Sequence, residues 1–200
     1  MADRPIVVAV TGASGAPYAV RLLETLIDRQ QPVSLIVSDH GLRLLSTEVG
    51  IGSIDELRAR VGASGWDAMV RVYDDRDRGA APASGSALTA GMVICPCSMG
   101  TISAIAVGAS RSLVERAADV VLKERRRLVV VPRESPYSAI HLENMLTLTR
   151  AGAVVLPASP GFYHRPGKIE DLVDFIVARV LDHLAVEHSL VPRWGSPAAE

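Results

Sequence analysis

Three short stretches of this sequence combine hydroxyls, glycines and charges at spacings that can hold an anion or move a proton. The first is Thr11-Gly12-Ala13-Ser14-Gly15-Ala16. A small-residue turn that opens a helix offers free backbone N–H groups, and here the Ser14 hydroxyl, to a phosphate or a ring edge. An ordinary glycine turn has the same composition. Gly12 and Gly15 are spaced G-x-x-G, so neither G-x-G-x-x-G nor G-x-x-x-x-G-K-[ST] is present. A flavin mononucleotide, which needs one phosphate site rather than a pyrophosphate site, survives that exclusion. A second strand ends in Ser38-Asp39, which leaves the acidic ribose partner of a nicotinamide cofactor ambiguous.

The second stretch is Cys95-Pro96-Cys97-Ser98-Met99-Gly100-Thr101. Pro96 is expected to end a strand, Ser98 to cap a helix and Thr101 to lie on its first turn. Such a start leaves several donors for a ligand, although a plain cap accounts for Ser98 equally well. The small residues Ala104, Ala106, Gly108 and Ala109 would let a flat group or another helix come close. Two cysteines one residue apart suit neither a disulfide nor a zinc site, so they read as buried thiols.

The third stretch is Val131-Pro132-Arg133-Glu134-Ser135-Pro136. Arg133 and Glu134 emerge from a buried run at one edge, where loop charges are otherwise simply solvated. Arg116 and Lys123 lie seven apart on one helix and therefore share a face, two turns apart. They form either a pocket or a solvated basic stripe. Such basic groups, carboxylates and hydroxyls could hold and release a phosphate without a metal. No Asp, Glu or His spacing recommends a metal site. His141 and Glu143 are two apart and point apart, and His40, His183 and His188 read as surface residues. A hydrolase triad is unsupported, because G-x-S-x-G is absent and no His clearly partners a cysteine.

The elements that must position these stretches alternate. Apolar runs at Pro5–Val10, Val33–Val37, Met69–Tyr73, Gly91–Cys95, Leu128–Pro132 and Ala153–Leu156 read as five to six buried strands. Helical periodicity covers Ala16–Gln30, Asp39–Val49, Ile54–Val61, Ser98–Gly108, Leu113–Arg125, Ser138–Arg150 and Ile169–Val186. Residues 74–90 read as a loop. Continuous apolar strands between helices predict an α/β protein, a single doubly wound and mostly parallel sheet in a three-layer, Rossmann-like or flavodoxin-like sandwich. No repeat or linker divides the 200 residues, so one domain with a C-terminal helix and tail is expected.

Composition bounds the partners. The formal net charge is −1, from 21 Lys+Arg against 22 Asp+Glu, which excludes a global basic field for nucleic acid and weakens a membrane-surface reading. No apolar run reaches the ~18 residues of a membrane span. The apolar run Ile6–Val10 is too short for a signal peptide, so a cytoplasmic protein is expected. Hydrophobic residues make up 48% and aromatics only 4%. With a mean hydropathy of +0.25, part of the apolar surface is expected to be covered by other copies of the chain.

Six motifs carry a resemblance. Gly12-Ala13-Ser14-Gly15-Ala16, Ala83-Ser84-Gly85-Ser86, Pro96-Cys97-Ser98-Met99-Gly100-Thr101, Glu115-Arg116-Ala117-Ala118-Asp119-Val120, Val131-Pro132-Arg133-Glu134 and Pro160-Gly161-Phe162-Tyr163-His164 occur in the order seen in the UbiX-type flavin prenyltransferases. That family was formerly described as 3-octaprenyl-4-hydroxybenzoate or phenylacrylic acid decarboxylases. The sequence resembles it over nearly the whole chain, residues 50–80 excepted. The related flavin-dependent cysteine decarboxylases carry Pro-Ala-Ser-Ala-Asn where this chain has Pro96-Cys97-Ser98-Met99-Gly100, which argues against that branch.

The resemblance implies a metal-independent transferase. It would join the dimethylallyl group of dimethylallyl phosphate to N5 and C6 of reduced FMN, and the prenylated FMN would serve UbiD-type decarboxylases, including those of ubiquinone biosynthesis. By motif, Gly12, Ala13, Ser14, Ser38, Ser98, Met99, Gly100, Thr101 and Arg133 would hold FMN. Ser84, Arg116, Lys123, Tyr163 and Arg179 would surround the prenyl phosphate. Ser14, Glu48, Glu134, Lys123 and Trp194 would form the catalytic set, with the two glutamates as acid/base candidates and Trp194 closing the pocket. A homo-oligomer, a dodecamer with sites between subunits, is also implied. The rival readings are an FMN-dependent decarboxylase and a non-catalytic flavin-binding module.

Overall fold

The computed structural model describes residues 4–192. Its strands are β1 (Ile6–Val10), β2 (Val33–Val37), β3 (Val70–Tyr73), β4 (Gly91–Cys97), β5 (Leu128–Pro132) and β6 (Val154–Val155). They form one six-stranded sheet in the order β3-β2-β1-β4-β5-β6, the doubly wound order whose direction reverses between β1 and β4. All neighbours are parallel, with Ile6 facing Val33 on one side and Gly91 on the other. Parallel neighbours need crossovers. The helices are α1 (Ala16–Asp28), α2 (Asp39–Val49), α3 (Ile54–Val61), α4 (Ala63–Met69), α5 (Met99–Ala106), α6 (Leu113–Lys123), α7 (Ala139–Arg150) and α8 (Ile169–Leu184).

Two cores flank the sheet. Val8, Val10, Val93, Cys95, Val129 and Val131 pack with α1 and α8 on one face. Val7, Ala9, Met92, Ile94, Leu128 and Val130 pack with α5, α6 and α7 on the other. Successive strand residues point to opposite faces, and both faces are covered. That is why the strands read as unbroken apolar runs rather than as alternation. Burying each large aliphatic side chain contributes about 1.5–3 kcal/mol.

Local chemistry sets the helix starts. Ser38, Ser53, Ser98, Ser112 and Ser138 are N-caps whose Oγ accepts a backbone N–H of the first turn. Ser38 and Ser98 therefore spend one lone pair on their own helices before meeting any ligand. α1 opens differently, on Gly15 at φ 130° with Pro17 in its first turn.

Four expectations are corrected. Pro96 does not end β4. The strand continues to Cys97 through a register irregularity between Ile94 and Cys97, the kind of place where a strand tolerates proline. A further helix, α4, precedes β3 and buries Trp66. The 74–90 segment carries a 3-10 turn at Ala81–Ala83 packed on α6. His188 is not a surface residue: its side chain is 3% exposed and lies 3.2 Å from Asp182 Oδ1. Elsewhere helix and strand ends shift by one or two residues. Among the described residues no helix is long and apolar enough to cross a membrane.

Candidate active site

All six strands run the same way, so the sheet has one carboxyl edge and one amino edge. At the carboxyl edge, where the order reverses, the turns after β1 and β4 are tied together. Thr11 Oγ1 donates to the Pro96 carbonyl at 3.1 Å and accepts from the Ser98 N–H at 2.9 Å. Thr11 was not singled out from the sequence. Only its position one residue before Gly12 hinted at it. Gly12 is required here, because a Cβ at that position would lie 2.6 Å from His40 Cβ.

The α1 start is not free for a ligand. Glu48, from the end of α2, accepts from the Gly15 N–H at 2.9 Å and the Ala16 N–H at 2.8 Å. The expectation of free amides there is thereby corrected: a carboxylate of the same chain fills the anion position of the helix. Desolvation pushes the Glu48 carboxyl up. The Gly15 N–H, the Ser14 hydroxyl, the Ala16 N–H and the Arg133 charge outweigh it and hold it below the ordinary glutamate value. Ser14, Glu48 and Arg133 therefore act on one another although they come from three different turns.

The α5 start is open. Ser98 Oγ caps the Thr101 N–H at 3.2 Å and lies 2.9 Å from Thr101 Oγ1. Ile102 N–H is satisfied by the Ser98 carbonyl. The amides of Met99 and Gly100 are first-turn donors without an intrahelical partner, and a Cβ at Gly100 would meet nothing nearer than Ser98 Oγ at 3.9 Å. Ser38 caps α2 through Gly41 N–H at 3.1 Å. Its neighbour Asp39 is committed to Arg76 at 2.7 Å, so it does not stand as a ribose partner. Arg133 is exposed beside this edge, and Glu134 Oε1 accepts the Ser135 N–H at 3.1 Å. Gly12, Ala13, Ser14, Ser38, Glu48, Ser98–Thr101, Arg133 and Glu134 thus share one edge.

Lys123 and Ser84 do not join them within one chain. Lys123 ends α6 and Ser84 precedes β4, so both lie at the amino edge. That is roughly 17 Å away across five strand residues. There a Cβ on Gly85 would come within 2.9 Å of Lys123 Nζ, and Ser84 and Ser86 share a hydroxyl contact of 2.9 Å. Lys123 is paired with Glu124 at 2.5 Å. Arg116 is held by Asp119 at 2.7 Å on the same helix. Tyr163 follows β6, and Arg179 lies on α8, where it is paired with Asp182 at 2.8 Å. The Tyr163 ring packs edge-on against Phe175, and Phe175 and Arg179 are one turn apart on α8. His164 stacks on Phe175 at 5.3 Å, and neither of its buried ring nitrogens has a hydrogen-bond partner among the described residues. Trp194 lies outside the described residues.

Both cysteines are free and buried. Burial raises the Cys95 thiol to about 12 and pushes Cys97 up as well. Among the described residues no group of three or more His, Cys, Asp or Glu could hold a metal ion.

A doubly wound parallel sheet with an open helix start, a capped serine and an arginine at its switch point defines a mononucleotide-binding α/β protein. Comparison with known proteins sharpens this. The flavoprotein family model matches residues 1–181. The flavin prenyltransferase UbiX of Pseudomonas aeruginosa is 50% identical over 197 residues, covering 95% of this chain and 93% of that protein. The Methanocaldococcus jannaschii flavin prenyltransferase UbiX is 44% identical over 191 residues, 96% and 98% of the two chains. Among solved structures, AnUbiX (PadA1) in complex with FMN and dimethylallyl pyrophosphate superposes with a TM-score of 0.88 at 41% identity, over 96% of this chain and 98% of that one. A dodecameric FMN-dependent UbiX-like decarboxylase from Escherichia coli O157:H7 gives 0.87 at 40% identity, over 96% and 100%. The chain belongs to the flavoprotein family and, within it, to the UbiX flavin prenyltransferases. The cypemycin decarboxylase CypD, at 17% identity and a TM-score of 0.61, shares the fold alone.

Proposed function

We propose that this chain transfers the dimethylallyl group of dimethylallyl phosphate to reduced FMN, and that the prenylated flavin serves UbiD-type decarboxylases. The observation that carries the reading is the carboxyl-edge cluster of Ser14, Glu48 and Arg133, in a chain half identical to a flavin prenyltransferase. Reduced FMN is the acceptor and supplies N5 and C6. The Met99 and Gly100 amides and Arg133 suit its phosphate, and Gly12, Ala13, Ser14, Ser38, Ser98 and Thr101 suit its remaining polar atoms.

Breaking the allylic C–O bond puts negative charge on the departing phosphate. Lys123, Arg116, Arg179, Tyr163 and Ser84 are the groups that would favour that charge. Glu48, held ionised, would keep Ser14 oriented, and Glu134 would act as the acid/base of ring closure, where the prenyl double bond gains a proton and C6 loses one. Trp194 would cover the pocket.

Lys123 and Ser84 lie at the edge opposite Ser14 in one chain, so a complete site calls for several copies. α7 supports this, because Leu142 and Leu146, one turn apart on one face, are 53% and 48% exposed. Such apolar surface is what another subunit covers. A dodecamer, as printed for the Escherichia coli neighbour, suits that need. We read residues 1–200 as one flavin-binding unit acting in the cytoplasm without a metal.

The test is anaerobic incubation of the purified protein with reduced FMN and dimethylallyl phosphate, followed by mass spectrometry of the flavin. A flavin heavier by one dimethylallyl group in place of a proton is expected. Unchanged FMN together with CO₂ release from a candidate acid would instead mark a decarboxylase. Unchanged FMN alone would mark a binding module.

A further inference from the structure

The amino edge of the sheet carries a second basic feature that the proposed transfer does not use. A cavity of about 560 Å³ opens there, lined by Arg4, Arg29, Arg125, Arg126 and Arg127 with Glu187 as its one carboxylate. Its floor is apolar, from Ile6, Leu184 and Val186. We propose that this cavity binds the diphosphate group of a small molecule, at a site separate from the carboxyl-edge flavin site.

Three observations support the assignment. None of the five arginines is ion-paired with a carboxylate among the described residues. Arg21, Arg58, Arg76 and Arg116, elsewhere on the molecule, each are. Next, two of the five are aimed by backbone carbonyls. Arg126 donates to the Gly85 carbonyl at 2.6 Å and to the Ala87 carbonyl at 2.7 Å, and Arg127 donates to the His183 carbonyl at 3.3 Å. A carbonyl orients a guanidinium without cancelling its charge. Finally, the charge is in excess. The C-termini of α1, α6 and α8 converge on this edge. At about half a negative charge each, together with Glu187, they leave an excess of roughly two and a half positive charges.

The size lies within the range of small-molecule sites. Guanidinium forks match phosphoryl oxygens two at a time, and two adjacent phosphoryl groups give the excess charge a compact partner. An organic diphosphate would lay its carbon part on Ala90 and Val186, the half-buried apolar residues of the lining. The inorganic ion would use the rim alone.

The experiment is calorimetric titration of the full-length, flavin-loaded protein with inorganic pyrophosphate and, separately, with ADP, comparing wild type with Arg29→Gln/Arg125→Gln. Neither residue belongs to the proposed catalytic set, and removing unpaired like charges leaves the thermal melt unchanged or raised. Losing two charge-assisted contacts is expected to weaken binding of either probe about a hundredfold or more. Raised salt is expected to weaken wild-type binding as well. Tighter binding of ADP assigns an organic diphosphate, and tighter binding of pyrophosphate assigns the inorganic ion. The proposal is overturned if neither probe binds, or if a correctly folded variant binds both as wild type does. Prenyl transfer is not part of the readout, so failure here leaves the proposed function standing.

Discussion

Replacing Glu48 by Gln removes one charge and leaves an almost isosteric amide at the start of α1. Wild-type Glu48 accepts two N–H bonds, at 2.9 and 2.8 Å, from a helix terminus that carries about half a positive charge. Two charge-assisted bonds would contribute about 1.5–3 kcal/mol each if fully buried. The group is half-buried and the amide oxygen still accepts, so the expected loss is about 1–2 kcal/mol. For a chain of this size that lowers Tm by roughly 2–8 °C at neutral pH.

The pH dependence has a definite sign. The carboxyl is held below its ordinary value of 4.5 in the folded protein. Its contribution is therefore fully present above the unfolded value and is lost as pH falls through the folded one. Thermal melts of wild type and Glu48→Gln should differ at pH 7 and converge as the pH falls below about 4.5. Equal melting temperatures at pH 7, or a gap that does not change on acidification, would refute the assignment of Glu48 as a charged cap of α1.

Three further outcomes are expected. Lys123→Ala should reduce prenylation at limiting dimethylallyl phosphate about tenfold to a hundredfold, the loss of one charge-assisted phosphate contact, while FMN affinity measured by fluorescence hardly moves. A wild-type rate would reduce Lys123 to a solvated partner of Glu124. Glu134→Gln should keep FMN binding and slow ring closure by about 10²-fold or more, read as the rate at which the closed product forms in single turnover. Leu142→Asp/Leu146→Asp should release smaller species in sedimentation velocity, since a charge in a covered apolar face is unfavourable. An unchanged sedimentation coefficient would place the subunit contact elsewhere.

The layout of the sheet was legible because its physics is local. Val7 to Val10 must be buried on both faces, and a run with no polar alternation says so. The serine cap at Ser98 was legible for the same reason, whereas Ser38 read only as the end of a strand. Contacts between distant turns were not. Nothing in Glu48's own neighbourhood reveals that its carboxylate reaches Gly15, 33 positions away. Only the family resemblance pointed to that residue. The α4 helix escaped notice because Gly62 and Gly65 bracket its first turn and dilute the periodicity around Trp66. Arg125-Arg126-Arg127 reads as an ordinary solvated charge run. Its significance depends on Arg4 and Arg29 arriving beside it from other elements. Motif order alone could not tell that Lys123 and Ser84 sit at the edge opposite Ser14.

That last separation bears on heredity. The Ser14 edge and the Lys123 edge of one chain lie too far apart to meet at one ligand. In an assembly that closes each site from several copies, a lesion in one edge and a lesion in the other damage different halves of different sites. Two defective alleles, one altered at Ser14 and one at Lys123, would then yield mixed particles. Some of their sites would join the intact Ser14 edge of one chain to the intact Lys123 edge of the other, so a cell carrying the pair would recover part of what neither allele supplies alone. Two alleles hit at the same edge would not complement each other.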